Sequence, residues 1–98
     1  MGNLNQIEQG KIVDQILPKI MEELGKDISF NEPSFYSGIG TTVTIRTSDK
    51  YIGLVAVNID GSISLSRYGE PRTKRNIFPS VENFLENLPE MLTKIATS

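Results

Sequence analysis

Apolar residues recur through the first quarter of the chain at Leu4, Ile7, Ile12, Val13, Ile16, Leu17, Ile20, Met21 and Leu24. From Ile12 onward the steps alternate between one and three, which lays a wide apolar face along a helix. Asn3 or Asn5 is suited to cap its start, and Gly25 stands where a left-handed residue would end it. Pro18 deletes one backbone hydrogen bond inside this span and crowds the carbonyl of Asp14. The apolar phase nevertheless continues through Ile20 and Leu24, so one kinked helix is predicted rather than two.

The period then changes. Ile28, Ser29 and Phe30 suit a short strand, followed by a loop through Asn31, Glu32 and Pro33 and on through residues 37–40. Residues 42–47 alternate, with Val43 and Ile45 on one face and Thr42, Thr44 and Arg46 on the other. Residues 51–59 are apolar on both faces, as in a strand covered on both sides. Residues 62–68 alternate again, with Ile63 and Leu65 inward and Ser62, Ser64 and Ser66 outward. Ser48, Asp49 and Lys50 make a tight turn between the first two of these strands. Asp60-Gly61 is a favoured type I′ hairpin dipeptide.

Helical phase returns near the end. Ser80 is a credible N-cap, and Val81, Phe84, Leu85, Leu88, Met91 or Leu92, and Ile95 keep one face for four turns, interrupted by Pro89. Glu82, Glu86 and Glu90 line the opposite side. The predicted fold is a single α+β domain over residues 1–98. It is an antiparallel meander of three to four strands between an N-terminal and a C-terminal helix, in the order α-β(3-4)-α. Both helices can cover one sheet face. The second apolar face of residues 51–59 then needs a cover, either a loop such as Phe35-Tyr36 or a second copy of the chain in an isologous homodimer.

Composition narrows the chemistry. The chain has 98 residues, with no Cys, His or Trp, and 38% of it is hydrophobic. That length supports one thin core. Without Cys and His there is no Ser-His-Asp triad, no Cys-His dyad and no zinc site of the usual ligands. Gly38-Ile39-Gly40 lacks the third glycine of a dinucleotide fingerprint and precedes a strand. Asn58-Ile59-Asp60-Gly61 lacks the spaced carboxylates of a calcium loop. No cofactor, metal or catalytic residue is expected, and the chain is not expected to be an enzyme. The start lacks a secretory n-region, Gln6 stands where a myristoylation motif wants Ser or Thr, and no apolar run is long enough for a membrane helix. A cytoplasmic protein without membrane contact is the expectation.

Charge changes the picture most. The formal net charge is −2, but it is segregated. Residues 1–34 carry three Lys against six acids, residues 35–75 six basic groups against three acids, and residues 76–98 one Lys against three Glu. The basic excess is densest at residues 67–75, where Arg67, Tyr68, Arg72, Lys74 and Arg75 follow the last strand of the meander and precede the final helix. Such a loop suits an anion: Arg offers a bidentate fork, Lys a point charge and Tyr68 a stacking surface. Beside it the small, flat Ser62, Ser64 and Ser66 face permits close approach. Asp60-Gly61-Ser62-Ile63 through Pro79-Ser80-Val81-Glu82-Asn83-Phe84-Leu85 resembles, over about a quarter of the chain, the sheet-to-helix ending of some bacterial toxin-immunity proteins of the SUKH type. Those residues are what any hairpin followed by a capped helix uses, so no function is carried across from them.

The expected function is a non-catalytic binding or regulatory protein that contacts a partner protein of acidic surface through Arg67, Tyr68, Arg72, Lys74 and Arg75. One alternative is a nucleic acid or nucleotide held by the same loop, against which the acidic balance of the whole chain argues. Another is a toxin-immunity or inhibitor role.

Overall fold

The computed structural model describes residues 3–25, 27–70 and 75–96, the last five by their backbone alone. Helix α1 (Gln6–Leu24) runs unbroken through Pro18, as its continuous apolar phase predicts. A reciprocal capping box fixes its start: Asn5 Oδ1 accepts from Glu8 N (2.8 Å), and Glu8 Oε1 accepts from Asn5 N (3.0 Å). At its end Gly25 takes φ +97° and returns its N–H to the Met21 carbonyl. Helix α2 (Val81–Ala96) starts where Ser80 Oγ accepts from Asn83 N at 3.1 Å.

Among the described residues six strands lie between the helices: β1 (Ser29–Phe30), β2 (Ser34–Tyr36), β3 (Gly40–Arg46), β4 (Tyr51–Asn58), β5 (Ile63–Arg67) and β6 (Asn76–Phe78). All pairings are antiparallel, in the order β1-β3-β4-β5-β6, with β2 also on β3. The sheet is therefore larger than the expected three- to four-stranded meander. The central β3-β4-β5 meander is as predicted, and the additions are short edge strands. β1 and β2 share one edge of β3, separated where residues 31–33 stand against Val43 and Thr44. Pro33 has no N–H to give that ladder, although Asn31 N still reaches the Thr44 carbonyl at 3.1 Å. β6 occupies the span expected to run from the basic loop straight into the last helix.

A second correction concerns the β4–β5 turn. Among the described residues no non-glycine residue has positive φ, so Asp60 is not in the left-handed conformation that type I′ demands. Gly61 N instead closes on the Asn58 carbonyl (3.0 Å) and Asn58 N on Ser62 O (2.8 Å), with Gly61 at φ +90°. This is a three-residue loop with glycine in the last place. A bulge also interrupts β3–β4: Ile45 pairs Gly53 and Arg46 pairs Tyr51, which leaves Ile52 as the extra residue.

Both helices cover the same sheet face. The core joins Val13, Ile16 and Ile20 of α1 and Phe84 and Leu88 of α2 to Val43, Ile45, Val55, Val57, Ile63, Leu65 and Phe78. Polar Gln9 sits among them, 0% exposed. Its Oε1 accepts from the Thr41 hydroxyl (2.6 Å) and its Nε2 donates to Leu4 O (2.9 Å), so its burial is compensated. Thr41→Val leaves Gln9 Oε1 without a donor, and the expected cost is about 1–3 kcal/mol in urea unfolding. Adding Gln9→Met to Thr41→Val should recover part of that loss. Strictly additive losses in the double mutant would show that the two side chains do not act as a pair.

Candidate functional site on the open face of the sheet

The side chains that alternate with the core residues face away from the helices. On β3 these are Thr42, Thr44 and Arg46, on β4 Leu54, Ala56 and Asn58, on β5 Ser64 and Ser66, and on β6 Ile77. The middle ones are small, so the surface sinks between taller borders. One border is the β2–β3 hairpin, where Ser34, Tyr36 and Ile39 rise beside Thr42, Thr44 and Leu54 around an open concavity of about 500 Å³. The other is the far edge, where Arg75 and Ile77 wall an adjoining hollow of about 450 Å³ above Asn58, Asp60 and Ser62. A tighter pocket of about 70 Å³ lies between them, floored by Leu54 and Ala56 and reached by Ser64, Ser66, Glu70 and Arg75. The Phe35-Tyr36 segment, one of the two covers expected for this face, therefore borders it and leaves it open.

Hydrogen bonds order its polar end. Ser62 Oγ donates to Asp60 Oδ1 (2.6 Å), and the same carboxylate oxygen accepts from Ser62 N (2.9 Å). Asn58 Nδ2 then donates to both Ser62 Oγ (3.0 Å) and Ser64 Oγ (2.9 Å). The hydroxyl of Ser62 holds the Asp60 carboxyl below its ordinary value of 3.8, aided by the Ser62 amide and opposed by slight desolvation. Because the folded value is depressed, the stabilisation is present above the unfolded value and fades as pH falls through the folded one. Asp60→Asn should lower the urea midpoint at neutral pH toward its acid value, and so flatten the acid limb of a plot of urea midpoint against pH. An unaltered acid limb would remove Asp60 from the account.

The opposite end carries aromatic and cationic groups. The rings of Tyr51 and Tyr68 stack with centroids 4.9 Å apart, and the Arg46 guanidinium lies 6.0 Å from the Tyr51 ring centre. Gly69 at φ +89° turns the chain after Tyr68, and Arg67 pairs with Glu70 at 3.4 Å.

The predicted site residues thus separate. Tyr68 is exposed at the aromatic end, and Arg67 is committed to Glu70. Arg75 is half-buried in the wall of both the tight pocket and the adjoining hollow, with no carboxylate at ion-pair distance among the described residues. Arg72 and Lys74 lie outside the described residues. Reading the loop alone missed Asn58, Thr42 and Leu54, which meet Arg75 only through strand pairing. The outward serines were the visible signal for this face.

Glu82, Glu86 and Glu90 are exposed on α2, on the helical side of the molecule. Among the described residues no helix is long and apolar enough to cross a membrane. Compared with known proteins, the chain matches no protein-family model, no curated protein and no solved structure. What the open face does must therefore follow from its own residues.

Proposed function

We propose that the chain is a small non-catalytic binding or regulatory protein that holds a partner protein of acidic surface against the open face of its sheet. The observation that carries this reading is an uncovered concavity of about 500 Å³ on a face that also bears exposed Tyr36, Ile39, Tyr51, Tyr68 and Ile77. Tyr and Arg dominate the residues that fix protein interfaces, and apolar side chains gathered on one face mark a contact surface. The charge layout agrees. Most acids lie in the helical stretches, while Arg46 and Arg75 reach the sheet face and Arg67 offsets Glu70. Layers about 10 Å apart exceed the ~8 Å Debye length at physiological salt, so a partner at the sheet face is screened from the helical acids and meets Arg46 and Arg75 alongside Glu32, Asp60 and Glu70.

An isologous dimer through this face would bring two copies of one charge pattern together, and we take a different, acidic protein as its occupant. A toxin held by an immunity protein or inhibitor would be one such partner. Each concavity carries at most one Glu among its lining residues, Glu32 in one and Glu70 in another, which supports binding over paired-carboxylate catalysis.

One observation favours a second reading. The stacked Tyr51–Tyr68 pair beside Arg46 suits the bases of a single-stranded nucleic acid, at about 1–3 kcal/mol per stacked base. Affinity capture with the wild type, a Tyr51→Ala/Tyr68→Ala variant and an Arg72→Glu/Lys74→Glu/Arg75→Glu variant decides between them. The expected result is a protein that rebinds the wild type when purified and loses at least tenfold in affinity for both variants. Equal retention by all three forms would overturn the assignment of this face. Binding of poly-dT or poly-U that falls steeply with salt, without a protein partner, would replace the first reading by the second.

A further inference from the structure

We infer that the pocket between Arg75 and Ser64 is a carboxylate subsite, which receives an Asp or Glu side chain presented by the partner. The inference rests on the reading of the open face as a protein-binding surface, and it assigns that surface a specific anchor.

Proton direction is the first argument. Asp60 as a carboxylate can only accept, so Ser62 spends its hydroxyl proton on Asp60 and must accept from Asn58. This fixes the Asn58 amide with its NH₂ toward the serines, and Ser64 Oγ accepts its other proton. Ser64 is only 4% exposed. Its own hydroxyl proton has no acceptor among the described residues, and its side chain lines the pocket. The chain of bonds from Asp60 thus ends in a donor held ready for an acceptor from outside. Ser66 and Thr42 add hydroxyls that make no hydrogen bond among the described residues, and Arg75 adds a guanidinium without an acidic partner.

Charge and size select the ligand. Donors converge from Ser64, Ser66, Thr42 and Arg75, and a carboxylate accepts from a guanidinium fork and from hydroxyls at once. Glu70 also lines the pocket, but its charge is offset by Arg67 at 3.4 Å. A volume of about 70 Å³ lies between one water, at ~30 Å³, and the ~150 Å³ cavity that holds benzene. It fits a carboxylate with its methylene. Leu54 and Ala56 in the floor offer the methylene an apolar surface, which a bare phosphate would not use.

The test is a titration of the full chain followed by amide and guanidinium NMR. The probes are propionate, N-acetyl-aspartate N-methylamide, inorganic phosphate and sodium chloride at matched ionic strength. The two carboxylates are expected to give saturable, millimolar shifts at Thr42, Ser64, Ser66 and the Arg75 side chain, and chloride none. Arg75→Gln and Ser64→Ala should each weaken carboxylate binding, the former at least tenfold. Ala56→Leu should fill the pocket and abolish binding while the amides of Val43 and Ile63 stay in place. If Ala56→Leu does not fold, the Arg75 and Ser64 variants decide. Unchanged affinity in Arg75→Gln, or shifts no different from those of chloride, would overturn the subsite and leave partner capture by the open face standing. Tighter binding of phosphate than of either carboxylate would overturn it in favour of a phosphate site.

Discussion

Replacing Gly40 with alanine is expected to cost about 2–5 kcal/mol and to lower the urea midpoint by about 1–3 M. Gly40 opens β3 at φ +150°, where an L side chain is strained. It also lies against the opposite strand: a Cβ built there would meet the Val57 carbonyl oxygen and stand 3.0 Å from Asn58 Cα. Both obstacles are backbone and cannot rotate away. The residue pairs with Tyr36 on one side and Asn58 on the other, so any shift propagates into both hairpins. Next to it the Ile39 carbonyl accepts from Ile59 N (3.2 Å), and Ile59 O accepts from Leu4 N (2.7 Å). Displacing Gly40 therefore loosens the point where three parts of the chain meet. Gly10 provides the contrast. It lies inside α1 with open space where a Cβ would stand, so Gly10→Ala should stabilise by about 0.5–1 kcal/mol. Similar midpoints for the two variants would refute the packing ascribed to Gly40.

Phe84→Ala should cost about 3–5 kcal/mol, the range for deleting a fully enclosed aromatic side chain. Phe84 is 0% exposed and meets Phe78 edge to face, with centroids 5.4 Å apart and an interplanar angle of 74°. An aromatic pair of this geometry adds about 0.5–1.5 kcal/mol beyond burial. The loss should not be spread evenly. Phe78 is the residue of β6 that enters the core, so removing its partner releases an edge strand that holds only three residues of β5. Hydrogen exchange should therefore accelerate more between β5 and β6 than between β3 and β4. Uniform acceleration across the sheet would mean that Phe84 supports the core as a whole, without a special bond to β6.

How much of this was legible in the chain depended on length. Helix α1 carries its face for 19 residues, α2 for 16, and β3, β4 and β5 for seven, eight and five. Each is long enough for its period to show. β2 and β6 have three residues apiece, and all three of β2 are exposed, so no alternation marks it. Their strand character comes from backbone bonds to a neighbour already in place, which no local pattern encodes. Ile77-Phe78 before Pro79 was the sole hint of β6, a pair of strand formers ahead of a residue that cannot continue a ladder.

The candidate site divides the same way. Arg67, Tyr68 and Arg75 stood out as a cluster of charge and aromatic surface. That Arg67 would turn to Glu70 while Arg75 would stand beside Asn58 and Ser64 depended on the turn at Gly69 and on the register of β5 with β6. Composition records which charges exist, and strand pairing decides which of them remain unanswered.

The broken edge at β1 and β2 bears on how these molecules could assemble. A fibre of sheets joined side by side needs two regular edges on every molecule, one to give and one to take. Here one edge is interrupted at residues 31–33, with Pro33 among them, and the other is the three residues of β6. Neither edge offers more than three consecutive strand residues, and at β6 a second copy in an isologous pair would meet its own equivalent strand. Such growth ends at two molecules, which leaves an open, tyrosine-bearing sheet face exposed without making the protein a seed for its own polymer.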